Sequence, residues 1–94
     1  MRIGNLNTNV NFKQIKMDGD SYWDLRNTSS EEAVDSIKDM SLKGFNLGYI
    51  TCNDSGLFLR GIQSREGKSC CIYLGERPTA QDVRNAINNY NKYA

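Results

Sequence analysis

Phe45-Asn46-Leu47-Gly48-Tyr49-Ile50-Thr51-Cys52, Leu57-Phe58-Leu59-Arg60-Gly61-Ile62-Gln63 and Cys70-Cys71-Ile72-Tyr73-Leu74 are three short runs rich in β-branched and aromatic residues. Two clusters of turn formers separate them, Asn53-Asp54-Ser55-Gly56 and Arg65-Glu66-Gly67-Lys68. Runs of this length bounded by Gly, Asn, Asp and Ser read as strands joined by tight turns, here a three-stranded meander. The first run puts Phe45, Leu47, Tyr49 and Thr51 on one face and Ile50 and Cys52 on the other, because strand side chains alternate. Gly56 supplies the positive φ that the first turn needs. The nearly continuous apolar run from Cys70 to Leu74 reads as a central or doubly covered strand. Gly48 and Gly61, inside strands, mark a bulge or a close approach by another backbone.

A helix is expected on each side of this meander. Thr28-Ser29-Ser30-Glu31-Glu32 has the form of a capping box, with Ser29 as cap and Glu32 reaching back to it. Ala33, Val34, Ile37, Met40 and Leu42 then recur at three- and four-residue spacing, and Gly44 suits a left-handed stop. After the meander, Gly75-Glu76-Arg77-Pro78 breaks the sheet, and Thr79 caps a second helix with Asp82 at its third position. Val83, Ala86, Ile87, Tyr90 and Tyr93 form its apolar stripe.

Upstream, Val10, Phe12, Ile15 and Met17 nearly alternate and read as a strand over Val10 to Met17. Asp18-Gly19-Asp20 has the form of a turn, and Ser21-Tyr22-Trp23-Asp24-Leu25-Arg26 reads as a returning strand, which makes the pair a hairpin. Residues 1–9 read as an irregular start. The expected domain is therefore a single α+β unit over residues 1–94. Its order is ββαβββα, with a largely antiparallel sheet and two amphipathic helices packed on one face.

Composition narrows function mainly by exclusion. The 94 residues carry 12 Lys and Arg against 11 Asp and Glu, a net charge of +1, so no global field draws the protein to nucleic acid or an anionic membrane. Residues 1–56 hold six basic against eight acidic residues and residues 57–94 six against three, so the second half is the more basic. No apolar run approaches the ~18 residues of a membrane helix, and the first residues lack the apolar block of a secretory signal. With three cysteines, two of them adjacent, no disulfide framework is indicated. The expected compartment is the cytoplasm.

Chemistry-bearing patterns are sparse. The sequence contains no histidine, the commonest general base and zinc ligand. Cys52, Cys70 and Cys71 lack CxxC spacing and read as strand residues. Asp18, Asp20 and Asp24 lack the glycine placement and downstream glutamate of a calcium loop. No catalytic residue, metal site or cofactor is expected.

Two binding surfaces remain. Tyr22 and Trp23 together with Asn85, Asn88 and Asn89 on the last helix are the candidate protein interface, with a second copy of the chain as one conceivable partner. Arg60, Arg65, Lys68, Arg77 and Arg84 are the candidate nucleic-acid contacts. Asp54 to Arg60, Gly67-Lys68, Tyr73-Leu74-Gly75 and Thr79 to Val83 with Ala86 together resemble the strand–strand–helix of phage-integrase arm-binding domains and plant APETALA-type DNA-binding domains. That resemblance implies a three-stranded sheet in the major groove with basic strand residues on bases and phosphates. In place of an arginine-bearing strand this chain has Ser69-Cys70-Cys71-Ile72-Tyr73. The leading expectation is a non-enzymatic binding or regulatory module for a protein partner, using an exposed sheet face, a strand edge or the polar side of the last helix; its small size also suits an accessory protein of a phage or other mobile element. Nucleic-acid binding is the alternative.

Overall fold

A computed structural model describes residues 14–64 and 66–94. Three helices pack on one face of a four-stranded mixed sheet with strand order β1-β2-β3-β4. The elements are β1 Gln14–Met17, α1 Gly19–Arg26, α2 Glu31–Lys38, β2 Phe45–Asn53, β3 Gly56–Ser64, β4 Cys70–Gly75 and α3 Ala80–Tyr93. The expected irregular start at residues 1–9, the strand positions before Gln14 and Arg65 lie outside the described residues.

The meander forms as the sequence indicates. β2 and β3 pair antiparallel from Phe45↔Ser64 to Asn53↔Gly56, and β3 pairs antiparallel with β4 from Gly61↔Cys70 to Phe58↔Tyr73. A bulge at Leu74 shifts the register before Leu57↔Gly75. Phe45 departs from the expected alternation: it is buried in the core and lays its ring against Gly61. β4 is the end strand of the sheet, not a central one. At Gly56 φ is +132°, and a Cβ there would collide with the Gly75 carbonyl oxygen, so this turn admits glycine alone.

The expected hairpin at residues 10–26 is corrected. β1 pairs parallel with β2, Ile15 against Gly48 and Met17 against Ile50, and Ser21–Arg26 belongs to a helix. Parallel neighbours cannot be joined by a tight turn, so α1 and α2 fill the crossover between them. Asp18 caps α1 by accepting from the Ser21 N–H at 2.8 Å, while its own N–H donates to the Ile50 carbonyl and extends the ladder. The turn residues thus serve as a helix start. The inner face of α1 is Ser21 and Leu25, both fully buried; the small polar serine hides the helical period.

The start and stop of α2 also move. Ser30, not Ser29, is its cap, accepting from the Ala33 N–H. Ser29 Oγ instead accepts the Ala80 N–H at 2.8 Å, and Thr28 Oγ1 donates to the Pro78 carbonyl, so this linker pins the start of α3. α2 ends at Lys38, well before Gly44. Leu42 still reaches the core, carried by a loop that Asn91 clamps: its Nδ2 donates to the Ser41 carbonyl and its Oδ1 accepts the Lys43 N–H. The capping box of α3 forms as expected. Thr79 Oγ1 accepts the Asp82 N–H at 3.1 Å, and Asp82 Oδ2 accepts the Thr79 N–H at 3.0 Å.

The core joins Ile15, Leu25, Val34, Ile37, Ile50, Leu57, Leu59, Val83 and Ile87, each at most 1 % exposed. Burying each aliphatic side chain stabilises the fold by about 1.5–3 kcal/mol. Where Gly48 and Gly61 face each other across β2 and β3, the missing Cβ atoms make room for Ile15 and Phe45. A Cβ on Gly61 would stand 2.6 Å from the Phe45 ring, which has little freedom to yield. Gly61→Ala should therefore cost about 1–3 kcal/mol, read as a lowered urea midpoint. Thr79→Ala should cost about 1 kcal/mol by removing the α3 cap.

Candidate functional site

Alternation separates the two faces of the sheet. Ile15, Gly48, Ile50, Leu59 and Gly61 face the helices. On the opposite face stand Lys16 of β1, Leu47, Tyr49 and Thr51 of β2, Phe58, Arg60 and Ile62 of β3, and Cys71 and Tyr73 of β4. No helix among the described residues covers this outer face. Tyr73 is 54 % and Ile62 37 % exposed, while Leu47, Tyr49 and Phe58 are half-buried by their neighbours.

Cross-strand register arranges these side chains in rows. One row is Lys16, Tyr49, Arg60 and Cys71 across all four strands. The next is Thr51, Phe58 and Tyr73, in which the two rings stand 5.0 Å apart at 47°. The Tyr73 hydroxyl donates to the Ser55 carbonyl at 2.7 Å, which holds its ring over the sheet. The face therefore combines three aromatic rings, two aliphatic side chains and two cations, and none of its named residues is a carboxylate. It is an apolar surface with positive character.

Among the described residues, the expected nucleic-acid contacts Arg60, Lys68, Arg77 and Arg84 lie on different elements. Arg60 lies exposed in the middle of the outer face. Lys68, in the β3–β4 turn, pairs with Glu66 at 2.9 Å, and that ammonium holds the Glu66 carboxyl below its usual range. Arg77 is exposed and lines an open polar cleft of about 600 Å³ that Asp24, Asp54 and Glu76 also line. Arg84 is half-buried between α2 and α3, with Nη1 donating to Ser36 Oγ at 2.9 Å and Nε enclosed without a partner. Arg65 lies outside the described residues.

The expected protein-interface residues occupy two helices. Tyr22 is half-buried, its ring under Lys38 Nζ at 5.2 Å and its hydroxyl accepting from Arg26 Nη1. Trp23 is 63 % exposed and meets Tyr22 edge-on with centroids 5.4 Å apart. Asn85, Asn88 and Asn89 are exposed on α3, and Asn85 Oδ1 accepts from Gln81 Nε2. Tyr22 and Trp23 lie on α1 and the three asparagines on α3, so the structure does not gather them into one patch, and none belongs to the outer face of the sheet. Sequence reasoning passed over Tyr49, Phe58, Ile62 and Tyr73 as a joint surface; the signal was their shared parity within the three strands.

The three cysteines have different surroundings. Cys71 is exposed on the outer face beside Arg60. Cys70 faces the core near Tyr90, whose phenol is pushed up by burial and further by the Cys70 thiol. Burial pushes the Cys52 thiol up from its ordinary range, against the pull of the neighbouring Ser21 hydroxyl. Among the described residues no cluster of three or more His, Cys, Asp or Glu could hold a metal ion, and no helix is long and apolar enough to cross a membrane. Compared with known proteins, the chain matches no family model, no curated protein and no solved structure.

Iodoacetamide at neutral pH should modify Cys71 first and Cys52 last, as followed by mass spectrometry of tryptic peptides. Because the folded Cys52 pKa is raised, its labelling should accelerate only when pH climbs beyond the ordinary thiol range.

Proposed function

We propose that the protein is a non-enzymatic binding module that docks a protein partner on the outer face of its sheet. The observation that carries this reading is the uncovered row structure of that face: Leu47, Tyr49, Phe58, Ile62 and Tyr73 around Arg60 and Lys16. Aromatic side chains with an arginine among them are what protein interfaces enrich. The cations without a matching carboxylate favour a partner segment that carries acidic side chains between aliphatic ones. Such a module acts by occupancy, as a regulator or adaptor.

The dispersal of the remaining cations argues for protein over nucleic acid. Duplex binding draws its affinity from several phosphates neutralised together, whereas Lys68 pairs with Glu66 and Arg84 is tied to Ser36 between α2 and α3. One observation favours a second reading: Tyr49, Phe58 and Tyr73 on adjacent strands, with Arg60 between them, offer a platform on which single-stranded bases stack.

One comparison separates the two. A random peptide library is selected on the immobilised protein, and fluorescein-labelled oligothymidylate and oligouridylate are titrated in parallel. The protein reading expects enriched peptides with acidic and aliphatic residues, and Arg60→Glu should weaken the best of them by about tenfold or more. Oligonucleotide binding that falls steeply between about 50 and about 300 mM salt, and is lost in Tyr73→Ala, would transfer the function to the second reading.

A further inference from the structure

The outward stripe of α1 consists of Asp20, Trp23, Asp24 and Asn27, all exposed and at three- and four-residue spacing. Trp23 is 63 % exposed and stands edge-on to Tyr22. Lys38 lies over the Tyr22 ring, but among the described residues no lysine or arginine lies over that of Trp23. Tryptophan and tyrosine are among the side chains that anchor protein contacts most often.

The stripe runs into the open cleft of about 600 Å³, where Asp24 and Asn27 meet Asp54 of the β2–β3 turn and Glu76 and Arg77 of the loop after β4. That volume is within the range of ligand sites. Its walls are tied together: Thr28 Oγ1 donates to the Pro78 carbonyl at 2.9 Å, and Gly56 lies so close to Gly75 that no Cβ fits between them. Asp20, Asp24, Asp54 and Glu76 are exposed and take part in no ion pair among the described residues. The one cation lining the cleft is Arg77. In a chain of net charge +1, unmatched negative charge is thus concentrated beside an open aromatic ring.

We propose that the cleft and the α1 stripe dock an arginine-bearing segment of a protein partner. Charge complementarity selects this occupant, because carboxylates without internal partners favour a cationic segment and repel an acidic one. A guanidinium matches both features of the surface: its planar fork pairs with carboxylates and its face stacks on an indole. A metal ion does not fit, since among the described residues no three acidic, histidine or cysteine side chains are placed to hold one. The surface is opposite in sign to the outer sheet face with Lys16 and Arg60, so the two suit different partners and neither docking requires the other.

A peptide alternating arginine and alanine is the probe, titrated at about 50 mM salt and read by the anisotropy of a fluorescein label. With unlabelled peptide, the emission of Trp23, the one tryptophan of the chain, reports contact at the site. All substitutions fall at exposed positions, and circular dichroism verifies the fold of each variant. The expected result is saturable binding that changes the Trp23 emission and is weakened about tenfold or more by Asp24→Lys and by Trp23→Ala. Glu66→Lys, the same change of charge at the opposite end of β3, should leave it intact. Absence of binding, an equal loss in Glu66→Lys, spermine binding as tightly as the peptide, or self-association of the protein alone that Asp24→Lys abolishes would overturn the proposal.

Discussion

The parallel pairing of β1 with β2 governs the rest of the molecule. It depends on a local fit: Gly48 has no side chain, and the Ile15 δ-methyl occupies the space a Cβ would need, 2.6 Å from that position. With Ile15 seated there, Met17 falls beside Ile50 and the chain leaves β1 pointing in the same direction as β2. The return must then cross the sheet, and α1 and α2 make that crossing on the face that Ile15 occupies. α3 joins them there, pinned at its start by Thr28 and Ser29 and near its end by Asn91. Every helix is committed to one side. The opposite side of the sheet is left with its own side chains.

That asymmetry gives the outer face its chemical character. Residues of outward parity are not selected for helix contact, yet here they include Tyr49, Phe58, Ile62 and Tyr73, where a solvated antiparallel face ordinarily carries polar groups. Two cations, Arg60 and Lys16, sit in the same row as Tyr49, and the acidic residues of α1 and α2 belong to the other side of the sheet. Two other arginines have visible structural duties: Arg84 ties α3 to α2, and Arg26 reaches both Tyr22 and Glu31. The exposed large apolar side chains among the described residues are Ile62 and Tyr73 on the sheet and Trp23 and Tyr93 on the helices.

The meander and α3 were legible because their signals are local. Alternation, the Asn53–Gly56 turn and the Thr79–Asp82 box each depend on residues a few positions apart. The β1–α1 region was not legible, because its decisive interactions are distant. Asp18-Gly19-Asp20 suits a turn and a helix cap equally well, and the choice is made by Ile50, which accepts the Asp18 N–H from 32 positions away. Ser21, buried without apolar bulk, removed the periodicity that would have marked α1 as a helix. The same limit applies to the site. Basic residues close together in the sequence were dispersed by the fold, and Tyr49, Phe58 and Tyr73, far apart in sequence, were gathered by register.

Hydroxyl-radical footprinting of the dilute protein, read residue by residue by mass spectrometry, tests most directly whether the outer face is open. The account predicts strong oxidation of Tyr73, Cys71 and Ile62, comparable to that of exposed Trp23, with Ile15, Ile50 and Leu59 protected. Protection of Tyr73 and Ile62 at low concentration, with Trp23 still oxidised, would mean that another part of the chain covers this face, and would contradict its assignment as the binding surface.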